Sequence, residues 1–195
     1  MIGRLMEDEA DTEEFSYEFR IPKERIAVLI GPGGRVKKDI EAATHAKLHI
    51  DSEEGDIAIT GDDSLGMYSA REVIKAIGRG FNPDVAPLLL RQDYTLEVLS
   101  LPDYLGKSKN KTIRLKGRVI GEGGKTRRLI EEHTETSISV YGKTIAIIGK
   151  VENASVAKKA IEDLLSGAPH AAVYRWLEKK RKDLKMQEAY GSEEA

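Results

Sequence analysis

The chain contains no cysteine, which excludes disulfides, thiolate metal sites and thiol nucleophiles together. Aromatic residues are scarce at 6%, so the 40% of apolar residues must build any core mainly from Ile, Leu, Val and Ala. No apolar run approaches the roughly 20 residues that cross a bilayer, and the charged N-terminus lacks the apolar stretch of a secretory signal. These absences lead to the expectation of a soluble, cytoplasmic protein without membrane contact. The histidines His45, His49, His133 and His170 are far apart and match no metal-ligand spacing. No Ser/His/Asp order or paired-carboxylate set emerges either. The reading is therefore of a non-enzyme with no catalytic residue, metal or cofactor.

At 195 residues the chain can form one ordinary domain or two small ones of roughly 75 to 100 residues each. Its formal charge of −2 hides an uneven distribution, and the distribution is the informative part. Glu7, Asp8, Glu9, Asp11, Glu13 and Glu14 stand together without an opposing base, whereas residues 107–128 hold nine Lys or Arg against Glu122 alone. Setting aside those six carboxylates leaves 27 acidic against 31 basic residues.

Two small domains are favoured by an internal repeat. At an offset of 90, Ile30-Gly31-Pro32-Gly33-Gly34 aligns with Ile120-Gly121-Glu122-Gly123-Gly124. Ile40, Glu41 and Thr44 then fall on Ile130, Glu131 and Thr134, and Leu48 and Ile50 fall on Ile138 and Val140. At an offset of 88, Ile57-Ala58-Ile59-Thr60-Gly61 meets Ile145-Ala146-Ile147-Ile148-Gly149, a slip that a two-residue loop indel explains. Glycines and apolar positions recur together because the same backbone turns and the same buried face recur.

Within each copy, Tyr17–Ile21 and Tyr94–Val98 alternate as opening strands. Helices are predicted over 23–30 and 35–43, strands over 47–51 and 57–60, and a helix over 65–77. The second copy repeats this with helices over 112–120, 125–133 and 153–165 and strands over 137–141 and 144–148. From opening Tyr to first loop Gly the spacing is 14 residues (17 to 31) and then 27 (94 to 121). Residues 100–111, with Pro102 and Gly106, are expected to supply the difference as a loop.

A Gly-x-x-Gly turn that opens a helix suits an anionic backbone. Missing Cβ atoms let a phosphodiester approach the main chain, and the first helical N–H groups lack intrahelical acceptors and carry partial positive charge. A dinucleotide site would need a strand, not a helix, before the loop. A Walker loop is excluded because Val119 stands where its first Gly belongs.

The helix, glycine loop, helix, strand, turn, strand and helix, twice in one order, resemble the KH family. Val119-Ile120-Gly121-Glu122-Gly123-Gly124 and Leu29-Ile30-Gly31-Pro32-Gly33-Gly34 look like its signature. The resemblance implies an α/β (α+β) fold of two tandem type I KH modules in the order β-α-α-β-β-α. Each would be a three-stranded antiparallel sheet backed by helices, with a groove for about four single-stranded nucleotides. Expected boundaries are 1–14 for a disordered acidic tail, 15–81 for the first module, 82–91 for a packed connection, 92–167 for the second module and 168–195 for a basic amphipathic helix and tail.

The expected RNA-binding residues are Lys116, Arg118, Ile120, Gly121, Glu122, Gly123, Gly124, Lys125, Arg127, Arg128 and Ile138. In the first copy they are Gly31, Pro32, Gly33, Gly34, Arg35 and Lys38. The second copy carries more positive charge beside its loop and is expected to be the main clamp. Pro32 removes a backbone donor from the first loop, and Glu122 would repel a close phosphate in the second. Ile120 and Ile138 are expected to reach the groove, and Ile130 and Val140 to belong to the core. The C-terminal helix, with Val173, Trp176, Leu177 and Leu184 on one side, is read either as docked on the second module or as an extension of the RNA surface or a contact for a protein.

Taken over nearly its whole length, the chain resembles the archaeal Dim-two/partner-of-Nob family of small-subunit assembly proteins. That resemblance implies binding near the 3′ end of small-subunit ribosomal RNA, with the alpha subunit of initiation factor two and the Nob-type endonuclease as protein partners. The competing reading is a protein-binding scaffold with degenerate modules, for which Glu122 and Pro32 speak.

Overall fold

The computed structural model describes residues 15–105 and 109–191; the acidic tail expected over 1–14 lies outside them. Two units of like topology follow one another. The first runs β1 (Phe15–Arg20), α1 (Lys23–Ile30), α2 (Arg35–Thr44), β2 (Lys47–Ile50), β3 (Asp56–Gly61) and α3 (Ser64–Gly78). The second runs β4 (Tyr94–Ser100), α4 (Pro102–Leu105), α5 (Lys109–Ile120), α6 (Lys125–Thr134), β5 (Ser137–Tyr141), β6 (Thr144–Lys150) and α7 (Val151–Leu165), followed by α8 (His170–Gly191). Both sheets are antiparallel, in the orders β1-β3-β2 and β4-β6-β5.

Local chemistry sets the element ends. Pro22 precedes α1 with φ −55°, a conformation its ring already favours at a helix start. The β2–β3 turn is held by Asp51, whose Oδ1 accepts the N–H groups of Glu53 and Glu54 at 2.8 and 3.0 Å. Asp63 caps α3 by accepting the Leu65 N–H at 3.0 Å.

Periodicity then decides the cores. Leu48, Ile57 and Ile59 point from the first sheet toward Ile26 and Leu29 of α1, Ile40 of α2, and Met67, Ile74 and Ile77 of α3. In the second unit, Ile138, Ile145 and Ile147 meet Val119 of α5, Ile130 of α6, and Ala157, Ile161 and Leu164 of α7.

The units are fused through the second sheet. Ile145 and Ile147 face their own helices, while Ala146 and Ile148, one residue out of phase, belong to the core of the first unit. The connection makes this possible, since a 3-10 helix over Ala86–Leu90 buries Ala86 and Leu89 in the same cluster. At the seam Tyr141 donates to Glu24 Oε1 at 2.6 Å and Ser139 Oγ donates to the Arg79 carbonyl at 2.8 Å. Gly80, with φ +97°, lets the chains approach there, since a Cβ would lie 2.7 Å from Ser139 Oγ.

The loop expected over 100–111 is corrected. Its described ends are helical, with Leu101 fully buried, Pro102 starting α4 and α5 beginning at Lys109. Proline is at home in the first helical turn, and Leu101 and Tyr104 tie the insertion to the second core. Among the described residues no helix is long and apolar enough to cross a membrane.

Candidate nucleic-acid interface

Each unit turns from its first helix into its second through Gly-x-Gly-Gly, and the two turns have nearly one backbone. Gly31, Gly33 and Gly34 have φ/ψ of 69/174°, 60/22° and 75/17°. Gly121, Gly123 and Gly124 have 72/173°, 55/21° and 79/13°. The first glycine of each turn lies in a region open in practice to glycine alone. It is also sterically closed, since a Cβ on Gly31 would run into Val36 and one on Gly121 into Thr126. By contrast, a Cβ on Gly33, Gly34 or Gly123 would meet nothing within 4 Å. The inner glycine fixes the turn, and the outer ones leave main chain bare to solvent.

Side chains around the second turn separate into two groups. Glu122, Lys125 and Arg128 are exposed, Lys116, Ile120 and Arg127 are half-buried, and Lys125 opens α6. Arg127 lies 3.6 Å from Glu131 one turn along the helix. Ile120 lies directly before the turn. These residues form one face, in which exposed Lys125 and Arg128 flank the glycine turn and Glu122 places an opposing charge.

Arg118 and Ile138 do not join that face. The Arg118 guanidinium donates to the carbonyls of Leu164 and Ala168 at 2.9 and 2.6 Å, and its own carbonyl lies 2.8 Å from His170 Nε2. The Leu164 carbonyl lies in the last turn of α7 and also accepts the Gly167 N–H at 3.1 Å, whereas Ala168 lies in the short link before α8. Arg118 is therefore a clamp between α5 and the start of α8. In the first unit Arg25 does the same for Ile77 and Phe81, at 2.8 and 2.6 Å. Sequence reasoning missed Arg25, and nothing in its spacing marks it. Ile138 is 4% exposed, opposite Ile147 in the core, because the inward phase of β5 is set by its register with β6.

In the first unit Arg35 and Lys38 are exposed beside the turn, as is Pro32. Arg35 lies 3.6 Å from Asp39 and Lys37 lies 3.8 Å from Glu41, so part of this positive charge is internally matched. A recess of about 810 Å³ opens along β1, β2 and β3, with Lys37, His49 and Arg20 among its lining. Among the described residues no group of three or more His, Asp or Glu is placed to hold a metal.

Helix α8 is docked on the second unit. Val173 and Leu177 are buried against α6 and α7, Trp176 packs beside them, and Tyr174 shares a 2.7 Å hydrogen bond with Thr126. Its apolar side is thereby committed to the fold over Val173 to Leu177, while Leu184 further along is half-buried and outside that cluster.

Paired helices meeting at a glycine turn, set on a three-stranded sheet and used twice, define a tandem KH protein. The family descriptions agree: a KH domain matches residues 16–76, and a eukaryotic type KH domain (type I), the second of PNO1, matches residues 95–182. A KH domain-containing protein of Methanocaldococcus jannaschii is 48% identical over 170 residues, covering 85% of this chain and 74% of that protein. The RNA-binding protein pno1 of Dictyostelium discoideum is 32% identical over 172 residues, covering 84% and 71%. Among solved structures, a chain in the a/eIF2alpha-aDim2p-rRNA complex of Pyrococcus horikoshii is 45% identical, with a TM-score of 0.83 and coverage of 89% and 97%. The chain belongs to the PNO1/Dim2 family of KH-domain proteins.

Proposed function

We propose that this protein is a non-enzymatic, single-stranded RNA-binding factor acting in small-subunit ribosomal RNA 3′-end maturation, with the second glycine turn as its main clamp. The observation that carries the reading is the open main chain at Gly123, with half-buried Gly124 beside it at the N-terminus of α6, flanked by exposed Lys125 and Arg128. Helix-terminal N–H groups, the helix dipole and two cations together suit a phosphodiester. Similarity to a protein solved together with rRNA and a/eIF2alpha, and to RNA-binding protein pno1, supports the substrate class. The same likeness supports the alpha subunit of initiation factor two as a partner. The Nob-type endonuclease is proposed on family resemblance alone.

A scaffold reading draws on two particulars. Glu122 is exposed within the turn, and Arg118 is spent on the fold rather than on a ligand. The double change Gly123→Asp with Gly124→Asp separates the readings. Aspartate is one of the few residues that visit the left-handed conformation. The space is open at Gly123, and at Gly124 an added Cβ would lie 3.4 Å from the end of the flexible Arg128 side chain, so circular dichroism should be unchanged. Affinity for a short single-stranded RNA should fall below detection. Unchanged affinity would overturn the clamp and favour the scaffold reading instead.

A further inference from the structure

Helices α3 and α7 are both 15 residues long, from Ser64 and from Val151, so Phe81 and Ala168 stand at the same point past each. Both carbonyls are held by an arginine, Arg25 on Ile77 and Phe81 and Arg118 on Leu164 and Ala168, although the two arginines stand one turn apart in the repeat. Beyond that point the chains diverge. After Ala168 the chain enters α8, which lies across α6 and α7 and buries Val173 and Leu177 there. After Phe81 it carries Pro83 and Pro87 instead, and the 3-10 helix over Ala86–Leu90 turns toward the second sheet. Two prolines within five residues prevent a continuous helix.

The consequence is an open cleft on the first unit where the second unit holds a helix. Between α2 and α3 lies an apolar cavity of about 460 Å³, with Val36, Ile40 and Ala43 on one wall and Val73 and Ile77 on the other. By the offset of 90, Val36 and Ile40 correspond to Thr126 and Ile130. Thr126 is the residue that Tyr174 of α8 contacts. Leu90, 36% exposed, extends the apolar surface at the rim.

We propose that this cleft binds an amphipathic helix from a separate protein, seated on α2 and α3 as α8 is seated on α6 and α7. Its anchors are aliphatic or aromatic side chains spaced i, i+3, i+4, like Val173, Trp176 and Leu177. The lining carries Arg35, Asp39 and Asp84. Arg35 lies 3.6 Å from Asp39, which leaves Asp84 as the carboxylate to be met, so the polar flank of the incoming helix places a basic residue there. The same charge disfavours the chain's own residues 7–14, which hold six carboxylates. A second copy is a poor donor because the apolar ridge of α8 is already buried at Val173 and Leu177.

The test places a benzophenone amino acid at Ala43 in the full chain, expressed in its native cells, with a control at Glu53 in the distant β2–β3 turn. Ala43 is exposed and lies outside the RNA face. The expected product is an Ala43-specific crosslink to one other protein, whose crosslinked segment has the stated apolar spacing and basic flank. A synthetic peptide of that segment should bind the wild-type chain and bind the Ala43→Arg variant at least about tenfold more weakly. RNA affinity of that variant should be unchanged, which separates this cleft from the RNA reading. Crosslinks confined to the chain's own N-terminal residues, to a second copy or to RNA would each overturn the proposal. So would no crosslink above the Glu53 control, or a peptide that binds both forms equally.

Discussion

The carboxylate of Glu131 accepts the backbone N–H of Ile138 at 2.8 Å, linking the middle of α6 to the edge strand β5. In the first unit Glu41 accepts the N–H of Leu48, also at 2.8 Å. Each bond fixes the strand that runs beside the second helix of the glycine turn. Each explains why a charged residue recurs among the apolar positions of the repeat. A carboxylate-to-amide bond of this kind is worth about 1.5–3 kcal/mol. Glu131→Ala should therefore lower unfolding stability by that amount in a urea titration, and hydrogen exchange at the Ile138 amide should accelerate. Glu131→Gln keeps an acceptor and should lose less than half as much.

Helices α2 and α6 both end in a left-handed residue that is not glycine, His45 at φ 53° and Glu135 at φ 51°. A side chain there costs about 1–2 kcal/mol, and glycine returns part of that through greater unfolded-state entropy, about 0.5–1 kcal/mol. Glu135→Gly should stabilise the protein by about 0.5–1 kcal/mol. Thermal unfolding should shift upward by roughly 2–4 °C per kcal/mol, and RNA affinity should not change because the position is remote from the glycine turn in sequence and role.

The seam between the units contains a titratable contact. The Tyr141 hydroxyl donates to Glu24, which holds the carboxyl below its ordinary value, and the same bond raises the phenol. The two signs bracket a pH window. Glu24, lowered by folding, contributes stability above the unfolded glutamate value of about 4.3 that is lost as pH falls through its folded value. Tyr141, raised by folding, contributes below about 10 and that part is lost as pH rises through its folded value. Tyr141→Phe should flatten both limbs of the stability-against-pH curve measured by urea unfolding. A curve with the wild-type slope at both ends would place the pH dependence elsewhere.

Strand phases and helix starts were legible because burial imposes its period on the sequence. The Ile57-Ala58-Ile59 and Ile145-Ala146-Ile147 segments carry their inward phase openly, and the structure follows it. The next position carried a message that only the assembled chain explains. Thr60 is half-buried on a sheet face that the second unit does not cover, whereas its counterpart Ile148 is 1% exposed against the first unit. The glycine turns were readable from composition, since the first glycine of each lies at a φ/ψ and in a space that no side chain suits. Arg118 was not, because a cation near a glycine loop looks the same in sequence whether it meets a phosphate or the carbonyls that end a neighbouring helix. Ile138 failed for a related reason: its place depends on register with Ile147, which local pattern does not fix.

Backbone contact with RNA has a direct readout in the amide resonances of the turn. In a titration of the isotope-labelled chain with a short single-stranded RNA from the small-subunit 3′ end, the largest shifts should fall on the amides of Gly121 to Lys125. Smaller ones are expected over Gly31 to Arg35, where Pro32 offers no N–H. Binding that leaves the Gly123, Gly124 and Lys125 amides unmoved would contradict a phosphodiester seated on the second turn.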